Sequence, residues 1–158
     1  MLDLLHKAEG ELKALLADEA GWQSVFVNYH PPIVERLWRQ WGDNRIFLHR
    51  IYHCETKDAL MHPHPWPSAM RIIDGAYEMG VGYGGGSVAP PVAARFILFR
   101  NSQYEMTDPD VWHYVNPVGA PSTSFMVTGK PWKRESPRSW YPLRELTPEV
   151  REGLFKTF

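Results

Sequence analysis

Apolar residues in the opening segment recur at helical spacing. Leu5, Leu12, Leu15, Leu16 and Ala20 fall at mixed three- and four-residue intervals, which predicts an amphipathic helix over 2–20 with Asp3 as its N-cap. Gly10 weakens the middle of that helix by roughly 1 kcal/mol relative to alanine, so contacts with the rest of the domain must hold it. A second helix is predicted over 32–41: Pro32 suits a first turn, Val34, Leu37, Trp38 and Trp41 form one face, and Gly42 ends it. From Asn44 onward the pattern changes to short β-favouring runs separated by Gly, Pro, Asn and Asp. Strands are predicted at 45–54, 69–74, 76–83, 94–100, 112–115 and 124–128, with Asp74-Gly75 as the clearest turn. The glycine- and proline-rich stretch 80–91 predicts a loop or mobile flap after Tyr83, suited to gating. Thr147-Pro148-Glu149 reads as an N-cap, a first-turn proline and a dipole-favoured acid, opening a short helix with Val150 and Leu154. With no internal repeat or linker, the chain is one domain over 1–158: a helical extension (1–43), a β-rich core (44–131) and a tail (132–158).

Composition narrows the field. Seven Trp, seven Tyr and seven Phe give the chain more burial capacity than a disordered sequence has. Lys and Arg number 17 against 18 Asp and Glu, so no global charge draws the chain to nucleic acid or to an anionic membrane, and neither is expected as a partner. The locally basic run from Lys130 to Arg138, with Trp132 inside it, reads as a solvated connection rather than a nucleic-acid strip. A single cysteine, Cys54, allows no internal disulfide. No basic segment with a following long apolar run opens the chain, so a cytoplasmic protein is expected. There is no phosphate-binding loop, dinucleotide fingerprint or nucleophile elbow.

The distinctive chemistry is histidine. In Met61-His62-Pro63-His64-Pro65-Trp66-Pro67, two histidines lie two apart on a chain that its prolines keep extended, so both imidazoles can point to one side. Taken alone, the tetrapeptide fits a pre-organised metal-binding pair and a rigid exposed loop equally well. Farther along, His113 stands in Asp108-Pro109-Asp110-Val111-Trp112-His113-Tyr114-Val115-Asn116.

His62, His64, Gly75, the glycine-rich interval and His113 together resemble the cupin superfamily. Its first motif is His-x-His followed by an acid and later a glycine, and its second adds one histidine from a later strand. More narrowly, His62-Pro63-His64-Pro65-Trp66, Ile72-Ile73-Asp74-Gly75-Ala76-Tyr77-Glu78 and Ser124-Phe125-Met126-Val127-Thr128-Gly129 look like a largely uncharacterised bacterial and phage cupin group. The resemblance spans about 44–131 and implies an all-β fold: a jelly-roll (double-stranded β-helix) barrel, here with two N-terminal helices and a short C-terminal one. It also implies a metal held by His62, His64 and His113. Two positions depart from the pattern: Ser68 stands where many cupins carry a glutamate ligand, and Asp108 and Asp110 replace the second motif's proline and glycine. Glu78 and Glu105 are reserve ligands, although a strand glutamate more often faces water.

Three-histidine cupin sites resemble those of thiol and diketone-cleaving dioxygenases. The resemblance therefore implies a non-haem iron(II) dioxygenase acting on a small molecule, with zinc, nickel, copper or manganese also acceptable to the ligand set. A metal-dependent isomerase or lyase and a non-catalytic binding or structural cupin are the alternatives. Cupins commonly associate through sheet faces, which makes a homodimer the expected assembly.

Around the ligands, alternation in 49–54 places His49 and His53 on one side and Arg50 and Tyr52 on the other. His53 is a candidate general acid if its side faces inward; otherwise Arg50 and Tyr52 are candidates for binding an anion. Arg71 is a candidate carboxylate clamp, or an outward arginine in a salt bridge. Trp66 and Trp112 adjoin proposed ligands and, with Tyr77, are candidate pocket walls. Cys54 reads as a small buried residue and not a nucleophile.

Overall fold

The computed structural model describes residues 1–135 and 137–158. One helix, α1 (Leu2–Ala17), opens the chain, and a second, α2 (Pro148–Phe155), closes it. Between them run ten strands: β1 (Gln23–Val27), β2 (Val34–Trp41), β3 (Asn44–Ile51), β4 (His62–Pro63), β5 (Ser68–Asp74), β6 (Ala76–Tyr83), β7 (Ala94–Phe99), β8 (Gln103–Met106), β9 (Val111–Pro117) and β10 (Ser122–Thr128). They form two antiparallel sheets, one of six strands in the order β1-β2-β3-β10-β5-β8 and one of four in the order β4-β9-β6-β7.

The fold is mostly β, as expected, but only one helix precedes the sheets. The segment predicted as a second helix, 32–41, is instead strand β2. The misreading has a physical cause. β2 is buried on both faces: Leu37 and Trp41 pack in the cluster beneath the helices, while Val34 and Trp38 pack in the cluster between the sheets. A strand buried on both sides loses the period of two, and its apolar residues fall by chance at helical intervals.

Both helices lie on the outer face of the six-stranded sheet, α1 against β5, β8 and β10 and α2 against β2 and β3. Leu5 and Ala8 of α1 and Leu154 of α2 are buried there, with Leu12, Leu15 and Leu16 packed at the margin. α1 begins with Met1, not Asp3, in the capping position. α2 starts as expected, with the Thr147 side chain accepting a hydrogen bond from the backbone N–H of Val150. The Arg50 guanidinium fastens α2 to the sheet, donating to Glu35 at 2.9 Å, to the Gly153 carbonyl and to the Thr157 hydroxyl.

The predicted strand 76–83 coincides with β6, and the Asp74-Gly75 turn is present. It does not join a hairpin: β5 belongs to the six-stranded sheet and β6 to the four-stranded one, so the chain changes sheets at Gly75. That corner requires glycine, with φ at 77° and room for a Cβ only 3.1 Å from the Pro121 carbonyl oxygen. No helix among the described residues is long and apolar enough to cross a membrane.

Candidate metal centre

Facing side chains of the two sheets, with residues of the segments beside them, line a partly open cavity of about 130 Å³. His62, on β4, lies directly opposite His113 of β9 in the strand register, and their ring centroids are 4.9 Å apart. His64 follows two residues after His62 and brings its ring 5.4 Å from His62 and 4.7 Å from His113. One ligand nitrogen from each of the three lies within 4.8 Å of the others, and the two Nε2 atoms of His64 and His113 are 3.0 Å apart. The His-Pro-His-Pro segment thus brings both imidazoles to His113, in an arrangement that could hold a metal ion, and is not an exposed loop.

Hydrogen bonds orient the rings. His62 Nδ1–H donates to the Leu60 carbonyl at 2.9 Å, which leaves Nε2 with its lone pair. His64 Nδ1 lies 3.1 Å from Ser68 Oγ, so Ser68 supports the ligand beside it and is not itself a ligand. His113 Nδ1 is buried without a hydrogen-bond partner. The segment is braced from outside by residues that follow β10. Trp132 Nε1 donates to the His64 carbonyl at 2.8 Å, its backbone N–H to Pro65, and the Gly129 N–H to Pro67.

The site fits a divalent metal on the chemistry of its donors. Burial lowers the His62 pKa to about 4 and pushes His64 and His113 well below the ordinary histidine range, so all three imidazoles are neutral near pH 7. Neutral imidazole is the form that binds a transition metal, and three such ligands leave coordination positions open. Neither reserve glutamate joins them. Glu78 pairs with Tyr114 and Arg95, and Glu105 with the N-terminal amine at 2.9 Å. Replacing Ser68 with alanine should weaken metal affinity about 10- to 100-fold without unfolding the chain, a loss readable by competition with a chelator. Unchanged affinity would show that Ser68 has no orienting role.

The remaining predicted residues divide. Trp66 lines the cavity, its ring 4.8 Å from that of His64. Tyr77 is fully buried in the core behind it and donates to the Tyr104 hydroxyl at 2.9 Å, so it supports the wall without forming its surface. Trp112 points away from the cluster, as its position beside His113 on a strand demands, and donates to the Gly84 carbonyl at 2.7 Å. His53 lies beyond the end of β3, exposed, with Nδ1–H donating to Pro117. It is not at the cavity, although the face it shares by alternation is the inward one. Arg71 also lies elsewhere: it is on the outer face of β5, ion-paired with Glu9 of α1, with Nη2 2.9 Å from Glu9 Oε2. Arg50 and Tyr52 meet Glu35 on the outer face and bind no ligand in the cavity.

The glycine-rich loop after β6 does not border the histidines. The Gly84 N–H donates to Asp110, and Arg134 donates to the Gly84 and Gly85 carbonyls, so the loop is tied down at its start and is no gate to this cavity. Arg134 also lies over the Trp112 ring and 3.5 Å from Asp110.

Four polar residues that the sequence reading left out of the site line the cavity: Tyr29, His30, Arg36 and His49. His49 was legible as the inward partner of His53. Arg36 was hidden by the helical reading of β2. Burial lowers the pKa of both, that of His49 well below its ordinary range.

Comparison with solved structures bears on the fold. The chain aligns with the hydroxypropylphosphonic acid epoxidase from S. wedmorenis at a TM-score of 0.53 and 11% identity, over 70% of this chain and 56% of that one. The likeness is one of fold alone, and with the two antiparallel sheets and the three-histidine cluster it fits a cupin fold. This chain thus spans little more than half the length of the epoxidase. KdgF from Halomonas sp. aligns at a TM-score of 0.49 and 12% identity, over 72% of this chain and 88% of that protein. No family model and no curated protein matches the sequence.

Proposed function

We propose that this cupin-like chain is a non-haem iron(II) dioxygenase acting on a small molecule in the histidine cavity, and that it belongs to the bacterial and phage group with the His-Pro-His-Pro-Trp run. The observation that carries the reading is the convergence of three neutral imidazoles in a partly open, largely apolar pocket. Iron(II), when bound, supplies Lewis acidity, redox capacity and open positions for oxygen and substrate. The chain's own residues do the rest. His62 and His64 present Nε2 because their Nδ1 atoms are already engaged. Trp66, Val34, Met70, Val115 and Met126 line the cavity with apolar surface. The epoxidase description of the fold neighbour supports oxidative chemistry only as an analogy of fold.

The test is to load metal-free protein anaerobically with iron(II) and follow oxygen uptake across a library of small organic acids. Uptake that needs both iron and a library member, and that is lost in His64→Ala, is the expected result. Turnover without oxygen consumption would replace the reading with a metal-assisted isomerase or lyase. Failure to bind any divalent metal would leave a non-catalytic binding protein.

A further inference from the structure

Arg36 is placed unlike the neighbouring half-buried arginines. Arg39, Arg50, Arg71 and Arg134 each face a carboxylate, from Asp18, Glu35, Glu9 and Asp110 respectively. Arg36 takes part in no ion pair among the described residues, and its Nε is buried without a hydrogen-bond partner. Its guanidinium carbon lies over the Phe47 ring, 5.5 Å from the centroid, an attraction that satisfies no N–H. Val34 and Trp38, on the same face of β2, flank it within the apolar cluster between the sheets.

His49 stands beside it. Arg36 and His49 are direct partners in the β2–β3 register, so both side chains leave the same face, and both line the cavity that holds the three histidines. His49 Nε2 is buried without a partner, while Nδ1 lies 3.5 Å from Ser124 Oγ. No aspartate or glutamate is among the described residues that line the cavity. A cation partly withdrawn from water is left under-solvated unless something pairs with it, and among the described residues no carboxylate faces Arg36. The planar fork of a guanidinium matches a carboxylate in geometry. Arg36 carries one positive charge, and its fork can meet the two oxygens of one carboxylate.

We infer that Arg36, with His49 beside it, holds the carboxylate of a small organic acid in the cavity, leaving the rest of that acid to face His62, His64 and His113. This deepens the dioxygenase reading by naming the substrate class, and it rests on that reading only for the metal-facing end of the ligand.

Calorimetric titration of the full chain, as purified and after loading with redox-inert zinc, tests the inference. The probes are acetate and lactate, each beside its amide of nearly equal shape, with methylphosphonate as the dianionic comparison. Wild-type protein should bind the better acid at least about tenfold more tightly than its amide, the difference expected of a charge-assisted pair. Arg36→Met should abolish that preference while keeping the wild-type metal content, and Arg36→Lys, which keeps the charge but loses the fork, should retain part of it. Equal binding of acid and amide, no binding of either acid, or an unchanged preference in Arg36→Met would overturn the inference. Tighter binding of methylphosphonate than of both acids would overturn the carboxylate assignment. Carboxylate preference in a protein that takes no metal would defeat the metal reading and leave Arg36 in its role; metal binding without the preference would do the reverse.

Discussion

A His113→Ala chain should lose its metal. Removing one of three imidazole donors takes away a ligand and not merely a support, so the affinity should fall by more than the roughly 10- to 100-fold expected when a supporting hydrogen bond is cut. Metal per chain, measured by mass spectrometry after dialysis, should drop from near stoichiometric to near background, and the same should hold for His62→Ala. The control is Arg71→Met, which breaks the ion pair to Glu9 on the outer face of β5 and leaves the cavity alone. It should cost some stability and no metal. If His113→Ala retains its metal, the cluster of His62, His64 and His113 is not the binding site, however close its nitrogens lie.

Acid should unfold the metal-free protein at a pH where most surface charges are unaffected. The native His62 resists protonation down to about pH 4, whereas in the unfolded chain it titrates near 6.5. Between those values the unfolded chain binds a proton that the native one does not, so stability falls as the pH falls and is independent of this group above about 6.5. A shift of that size corresponds to about 3 kcal/mol once the pH reaches the native pKa. His64, His113 and His49 are shifted in the same direction by burial and add to the slope. Urea unfolding of metal-free protein from pH 7.5 to 4.5 should show the midpoint fall steadily through this window. A flat profile would mean that these histidines are more hydrated in solution than their buried positions indicate.

The strands and the ligand set were readable for different reasons. β6 and the turn at Gly75 carry strong local signals: alternating residues, then a glycine where only glycine fits. His62 and His64 could be paired because an extended chain puts alternate residues on one side. His113 entered through resemblance, and its position depends on the register of β4 against β9, which no local pattern encodes. β4 has two residues and β8 four, too short to announce themselves. β2 was hidden by its own burial on both faces.

What the sequence determined by itself was the mostly β class, the extended His-Pro-His-Pro segment and the capped helix at Thr147, because each depends on backbone preferences and spacing within a few residues. Only the tertiary structure decided which face of each strand is inside. Arg71 and Arg36 are both arginines on strands, yet helix α1 supplies a carboxylate to the first, while the second turns into a cavity that offers none. That difference arises from where the helices and the second sheet lie. A residue's partners across the fold decide whether its charge is satisfied by the protein or left to meet a ligand.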